Sequence, residues 1–511
     1  MPEKLKNYDG KRKSLRLGGG KEAVEAQHAK GRLTARERLD LLFDPDTFSE
    51  SYLYVKHNCR ELGSKELAAD GVVTGNGEIA GRPVFAFAQD FTVMGGTVGE
   101  RNGRKVVETL MGAYKCGTPV VGFNDSGGAR IQEGVESLAA YGRIFYHNVL
   151  LSGLCPQISV ICGPCAGGAV YSPALTDFVI QVDKTANMFI AGPEVIKAAT
   201  GEAIDENELG GARAHATLSG NIHFVARDEK HAVQIVRDLL SYLPQNSGEL
   251  PEERPFSGKI PEDPELDAVI PEDHRLPYDV KTIIGKIVDK GEFLEVQEGF
   301  APNIVVGFGR MGGMSVGIIA NQPKKLAGVL DINSSDKAAR FIRTCNVFNI
   351  PIISLVDVPG FMPGVKEEHG GVIRHGAKML FAYASATVPK LTVVLRKAYG
   401  GAYLAMCSKS MGADCVFAWP TAEIAVMGPE GAARVIFRRE LASAKDPKAF
   451  LEEHIQDYRE LHATPYKAAE ALHLDDIIKP SRTRKTLIEK LRLMKRLNHL
   501  RPHKKDGNIP L

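Results

Sequence analysis

Two short stretches of this 511-residue sequence could do chemistry with backbone groups alone. In the first, the apolar run Ile158-Ser159-Val160-Ile161 leads through Cys162-Gly163-Pro164-Cys165-Ala166 to Gly167-Gly168-Ala169-Val170-Tyr171. In the second, Leu391-Thr392-Val393-Val394-Leu395 leads through Arg396-Lys397-Ala398-Tyr399 to Gly400-Gly401-Ala402-Tyr403. Each reads as a strand, a tight glycine turn and the start of a helix. Glycine lets the chain turn sharply and lets a ligand approach the backbone closely. The first amides of a helix have no partner inside it, and the helix dipole adds to their partial charge. Such a turn attracts an anion. If the anion forms only during a reaction, the turn is an oxyanion hole. A lone Gly-Gly-Ala is more often a close strand-to-helix contact, but two in matching places shift the balance toward chemistry.

Missing motifs narrow that chemistry. The sequence has no GxxxxGK[ST] phosphate loop, no strand–GxGxxG–helix unit and no HExxH. Asp125-Ser126-Gly127-Gly128 does not match the GxSxG of a serine hydrolase, and no histidine is evidently supplied to it. Cys162 and Cys165 form a single CxxC with no second pair at zinc spacing, so packing is the favoured role and no metal is expected. Two sets of backbone donors suit a reaction with two oxyanions. Enolisation of a thioester is one example of such a half, and a second hole would then polarise a carbonyl on the partner that gives or receives a fragment.

Composition agrees with a globular protein: 44% hydrophobic and 25% charged residues, with length for two or more domains. A net charge of +2 points to no polyanionic partner, hence no nucleic acid. No apolar run reaches the ~18 residues of a membrane span. Met1 to Arg16 is lysine-rich without an apolar segment and does not read as a secretory signal. Eight cysteines spread through apolar segments suggest reduced, buried thiols in the cytoplasm.

Elements that must position the turns follow from the pattern. Residues 1 to about 30 are polar and predict a loosely ordered start. Thr34-Ala35-Arg36-Glu37 reads as a capping box, and Leu39, Leu42 and Phe43 continue that helix. Arg32, Arg36 and Arg38 suggest a solvated face, or phosphate contacts as the sharper alternative. Strands are expected at 71–77, 83–88, 119–123 and from 158, with a helix over about 102–115, so strand and helix alternate in α/β fashion. Seven prolines among acidic residues between 244 and 278 read as a linker. Landmarks then repeat: Gln89 with Gln322, Asp125 with Asp357, Gly167 with Gly400, and Gly192-Pro193-Glu194 with Gly428-Pro429-Glu430, at offsets of 232 to 236. The spacing predicts two copies of one fold. A terminal helix with Leu487, Ile488, Leu491, Met494 and Leu497 at helical spacing should dock by that stripe.

The motifs Asp90-Phe91-Thr92-Val93-Met94-Gly95-Gly96, Asp125-Ser126-Gly127-Gly128-Ala129-Arg130-Ile131-Gln132-Glu133, Gly163-Pro164-Cys165-Ala166-Gly167-Gly168-Ala169, Asp357-Val358-Pro359-Gly360-Phe361 and Arg396 to Tyr403 resemble the carboxyltransferase subunits of biotin-dependent acyl-CoA carboxylases. The resemblance runs from about Lys21 to the end. Within that family it is to the branch of propionyl-CoA carboxylase β chains, transcarboxylase core subunits and methylmalonyl-CoA decarboxylase α subunits. It implies two tandem crotonase-like (ClpP/crotonase) domains: residues 1–245 on the acyl-CoA side, a linker over 246–278, and residues 279–511 on the biotin side. It also implies a homohexamer, with sites formed between the N-domain of one subunit and the C-domain of its partner.

By the same resemblance, the amides of Gly167 and Gly168 hold a thioester enolate, and those of Gly401 and Ala402 hold the ureido oxygen of biotin. Biotin itself serves as base once its carboxyl leaves as carbon dioxide. Asp125 to Arg130, including Gly127, Gly128 and Ala129, border the CoA arm together with Ala166. Phe361, Pro363, Gly364 and Val365 border biotin, with Tyr399 and Gly400. Leu404 follows Tyr403 where many propionyl-CoA carboxylases have Asp, at a place near the acyl pocket, which leaves the physiological direction open. No Ala-Met-Lys-Met biotin-attachment sequence and no evident ATP-binding domain are present, nor the N-terminal zinc ribbon of bacterial acetyl-CoA carboxylase β subunits. Biotin would therefore arrive on a separate carrier chain. Partners would be a biotin carboxylase, a sodium-pumping membrane decarboxylase or a pyruvate-specific subunit, and propionyl-CoA and methylmalonyl-CoA lead the substrates. Two alternatives stand beside this reading. One is a biotin-independent hydratase or decarboxylase, for which a single hole would do. The other is a non-catalytic scaffold, for which neither turn need be intact.

Overall fold

Strand order is the same in both halves of the chain. The computed structural model describes residues 2–495, 497 and 507–510, and divides into units Met1–Leu250 and Pro251–Leu511. The first holds β1 (Ser49–Ser51), β2 (Val72–Ile79), β3 (Arg82–Gln89), β4 (Val120–Ser126), β5 (Gln157–Ala166), β6 (Phe178–Val182), β7 (Asn187–Phe189) and β8 (Phe224–Ala226). The second holds β9 (Phe293–Val296), β10 (Ile304–Met311), β11 (Met314–Asn321), β12 (Ile352–Val358), β13 (Lys390–Tyr399), β14 (Cys415–Ala418), β15 (Glu423–Ala425) and β16 (Asp476–Ile477). The first sheet runs β1-β2-β3-β4-β5-β6-β8 with β7 beside β5; the second runs β9-β10-β11-β12-β13-β14-β16 with β15 beside β13. The opening strands are antiparallel and the rest parallel. The duplication expected from the landmarks is therefore present element by element.

Parallel strands covered on both faces need continuous apolar runs, and β4 and β12 are buried at every residue. Helix Glu100–Cys116, two residues longer at its start than the pattern predicts, buries Val106, Leu110 and Ala113. It packs on β2, β3 and helix Val135–Leu151. Its counterpart Ile332–Val347 packs on β10 and helix Val372–Ser385. The terminal helix Thr483–Met494 docks by Leu487, Ile488 and Leu491 into the core around Trp419 and Phe417, while Leu497 lies past its end.

Three expectations are corrected. Residues 2–30 are not loose: they form helices Pro2–Arg16 and Lys21–Ala29, and Gly19 N donates to Thr92 Oγ1 at 3.0 Å. The proline-rich stretch 246–278 is no free linker. Its larger part belongs to the second unit, where Leu266 and Tyr278 join the core. Register also moves one landmark. Gln89 accepts from Asp125 N at 3.1 Å, and the matching acceptor for Asp357 N is Asn321 at 3.2 Å, not Gln322. Gln322 instead accepts from Val280 N.

Candidate active site

Both glycine turns form as the sequence predicts. β5 ends in extended Ala166, Gly167 takes φ 60°, and a 3-10 turn Gly167–Val170 follows. β13 ends in extended Tyr399, Gly400 takes φ 57°, and helix Gly400–Ala405 follows. A left-handed residue at the mouth of a helix is why glycine stands there. It aims the next amides outward, where the first turn leaves them without internal partners. The Cys165 thiol donates to Ala169 O at 3.2 Å and tightens the first turn, which is the role of one member of the CxxC. Register pairs Gly167 with Gly400, Gly168 with Gly401 and Ala169 with Ala402. The couple Gly401/Ala402 therefore sits one residue later than Gly167/Gly168.

The loop after β4 supplies a further amide. Val98 N donates to Gly128 O and Arg130 N to Val98 O, both at 2.9 Å. Gly127 N donates to Gly95 O at 2.9 Å, and Gly128 N to Ser126 Oγ at 3.1 Å. The bridge between Val98 and Ala129 leaves the Ala129 amide out. Gly128, at φ 98°, lies so near the first turn that a Cβ there would stand 3.0 Å from Ala166 O. The second half repeats the arrangement: Leu330 N donates to Gly360 O at 3.1 Å, Met362 N donates to Leu330 O at 2.7 Å, and Phe361 takes the place of Ala129. Each half thus presents a turn amide, Gly168 or Gly401, together with a loop amide, Ala129 or Phe361. The sequence placed Ala129 and Phe361 at the rims of the two sites but did not reveal them as donors. The signal was there in the repeated glycine that precedes each.

Side chains divide into those free to meet a ligand and those already engaged. Arg130 is fully buried, with NH1 on Asp70 Oδ1 at 2.7 Å and on Glu133 Oε1 at 2.8 Å. Its guanidinium is therefore engaged inside the protein, and only its backbone is left to face a ligand. The Tyr399 ring is buried and its hydroxyl donates to Glu423 at 2.5 Å, so it too offers only backbone. The Phe361 ring is half-buried against Gly376. Pro363, Gly364 and Val365 are exposed at the entry to helix Val365–Gly370. Leu404 is 41% exposed, and its counterpart Tyr171 47%.

Buried carboxylates anchor both sites. Asp125 accepts from Gln27 Nε2 at 3.0 Å, Arg32 NH1 at 3.2 Å and Arg38 NH2 at 2.9 Å, and Arg38 also forks onto Glu229 at 2.7 and 3.0 Å. Arg32 and Arg38 are therefore buried ion-pair partners, neither a solvated face nor phosphate ligands. Arg36 pairs with Glu50 at 2.6 Å. In the second half Asp357 accepts from Arg396 Nε at 3.0 Å and Lys397 N at 3.1 Å. Burial pushes the Asp357 carboxyl above its usual range, against the pull of Arg396. Among the described residues no group of three or more His, Cys, Asp or Glu is placed to hold a metal, and no helix is long and apolar enough to cross a membrane.

This geometry meets its counterparts among known proteins. The model of the carboxyl transferase domain matches residues 26–509. The chain belongs to the carboxyl transferase family. It is 54% identical over 512 residues to the methylmalonyl-CoA carboxyltransferase 12S subunit of Propionibacterium freudenreichii subsp. shermanii, covering 100% of this chain and 98% of the other. It is 51% identical to the methylmalonyl-CoA decarboxylase subunit alpha of Propionigenium modestum, over 100% of this chain and 99% of the other. A crystal structure of the transcarboxylase 12S hexamer with methylmalonyl-CoA and methylmalonic acid bound superposes with TM-score 0.98 at 53% identity, over 100% of this chain and 98% of that one. This carboxyltransferase is thus an α/β protein of two tandem crotonase-like domains.

Proposed function

We propose that this carboxyltransferase moves a carboxyl group between biotin, carried on another polypeptide, and a short acyl-CoA, with propionyl-CoA and methylmalonyl-CoA as the substrate pair. The duplicated hole carries the reading. In the first unit, Gly167, Gly168 and Ala129 amides would hold the thioester oxygen as it gains charge and becomes an enolate. In the second, Gly401, Ala402 and Phe361 amides would hold the ureido oxygen. Biotin supplies or accepts the carboxyl group when its carrier brings it in. Two features support such a visitor: the donors are backbone, and Val365, four residues past Phe361, is exposed.

Fixed amides need no reorganisation as charge develops, and one such donor is worth about 2.7–4 kcal/mol of transition-state stabilisation. Gly127, Gly128 and Ala166 would border the CoA arm by backbone, and Gly364 and Val365 would border biotin. Leu404 would meet the acyl branch. Each turn has an exposed apolar residue beside it, Ile190 in the first unit and Val426 (87% exposed) in the second. Such surface supports an oligomer, a homohexamer as in the 12S relative, in which copies cover it. Free cysteines, seven of them buried, fit work in the cytoplasm.

Propionyl-CoA release from methylmalonyl-CoA, followed by chromatography with and without added biotin, tests the reading. It predicts release that depends on biotin. Release at the same rate without biotin would favour a lone decarboxylase, and none with either free or carrier-bound biotin would favour a scaffold.

A further inference from the structure

We propose that Arg130, held by Asp70, is a positioning residue that fixes the Ala129 amide of the first hole, and that the second hole works without such a device. The proposal rests on the reading of Ala129 as a donor.

Arg130 follows Ala129 directly, and its guanidinium anchors that segment from the buried side. NH1 reaches Asp70 and Glu133, and NH2 reaches Thr97 O at 3.0 Å and Asp70 O at 3.4 Å. Glu133 in turn accepts from Glu100 N at 2.6 Å. Asp70 is not placed by ordinary backbone. Ala69 and Asp70 take φ of 49° and 51°, a left-handed pair that costs roughly 1–2 kcal/mol per residue without glycine. Three bonds hold the pair: Lys105 Nζ to Ala69 O at 2.7 Å and to Val72 O at 2.5 Å, and Asn102 Nδ2 to Asp70 O at 2.7 Å. Lysine, strained turn, aspartate, arginine and loop amide form one continuous chain of contacts.

The second half serves as an internal control. Ala301 is left-handed too, at φ 43°. Lys337 Nζ holds it through Phe300 O at 2.8 Å, Ala301 O at 3.5 Å and Ile304 O at 2.9 Å, much as Lys105 holds the turn of the first half. The fold therefore needs the turn and the lysine. It does not need the ion pair: Pro302 stands at the place of Asp70 and Met362 at the place of Arg130. A buried ion pair is poor value as stability alone, because desolvation offsets its attraction, and placement of a neighbouring group is a better reason for one. The second hole receives a rigid ring carbonyl, whereas the first must follow a flexible thioester. A donor locked in place before reaction is worth more in the first.

The test uses the whole oligomer with methylmalonyl-CoA and free biotin. Arg130→Met installs the residue of the second half, and Arg130→Lys keeps the charge. Arg130→Met alone leaves buried carboxylates unpaired, so Asp70→Asn/Arg130→Met is made beside it to secure a folded protein. We expect kcat to fall about tenfold or more in the folded Met variants, with KM for biotin within twofold, and Arg130→Lys to recover part of the loss. A raised KM for the acyl-CoA at full kcat would overturn the proposal by making Arg130 a substrate contact. Unchanged kcat and KM in a folded variant would overturn it by leaving only a structural part. Lactic acid in place of Ala129 removes that amide and separates the two layers. Full kcat there would remove the hole reading and the proposal together. A hundredfold loss there beside an unaffected Asp70→Asn/Arg130→Met would remove the proposal alone.

Discussion

Alanine at Gly400 adds one carbon to a left-handed residue and asks what the second turn is for. At φ 57° an alanine costs about 1–2 kcal/mol relative to glycine. Its Cβ would also stand 3.0 Å from Val426 O, closer than a relaxed carbon–oxygen contact. Val426 is largely exposed at the end of β15, so that carbonyl can give by a few tenths of an ångström. What remains of the strain turns the peptide that follows and carries the Gly401 amide off its aim. Gly167→Ala is the matched control: a similar φ, 60°, but a Cβ 3.9 Å from Ile190 O, an ordinary contact. Both variants should lose about 1–2 kcal/mol of stability. Loss of one aimed donor should lower kcat by about 10²–10³-fold, fully in Gly400→Ala and less in Gly167→Ala. Steady-state kinetics with methylmalonyl-CoA and free biotin, beside a urea titration on the same preparations, reads both effects. A folded Gly400→Ala enzyme with wild-type kcat would refute the argument that the turn positions a catalytic amide.

Other outcomes follow from single sites. Leu404→Asp should change the ratio of kcat/KM for propionyl-CoA over acetyl-CoA by about 10- to 200-fold, with free-biotin turnover as control; an unchanged ratio in a folded variant would place Leu404 outside the acyl pocket. Burial pulls the Lys105 ammonium down to about 7 and that of Lys337 to about 8, whereas an unfolded lysine titrates near ~10.4. The unfolded chain then holds more protons than the folded one above each folded value, so stability should rise with pH by about 1.4 kcal/mol per unit, above pH 7 for Lys105 and above pH 8 for Lys337, and urea midpoints between pH 8 and 9 should lose the Lys105 share of that rise in Lys105→Met. Trp419, the sole tryptophan, is fully buried with Nε1 on Thr483 Oγ1 at 2.9 Å. Thr483→Val should cost about 1–3 kcal/mol, seen as an earlier fluorescence transition on denaturation.

Local signals were legible and distant partners were not. The capping box at Thr34 and Glu37 forms as written, because both halves of it lie within four residues. The glycine turns formed where strand, glycine pair and small residues followed one another. Arg38 misled, since its partners Asp125 and Glu229 lie far along the chain and no local pattern shows that a charge will be buried between them. Helix Pro2–Arg16 carries no apolar stripe, so its periodicity gave nothing to read. Prolines between 244 and 278 announced irregular backbone correctly. They hid Leu266 and Tyr278, whose burial depends on a core assembled from strands far along the chain. Arg130 showed its charge but not its pairing with Asp70, and the donor role of Ala129 appeared only once neighbouring amides had been assigned to their acceptors.

Removing single amides tests the two-hole account most directly. Glycolic acid in place of Gly168, and separately in place of Gly401, deletes one N–H with little change of shape. The account predicts a fall in kcat of about 10²–10³-fold for each. With Gly168 replaced, acyl-CoA affinity should be kept and the acyl-CoA half of the reaction should fail; with Gly401 replaced, turnover with biotin should fail. Folded proteins that keep kcat within twofold after both replacements would contradict it and leave the glycine turns as packing alone.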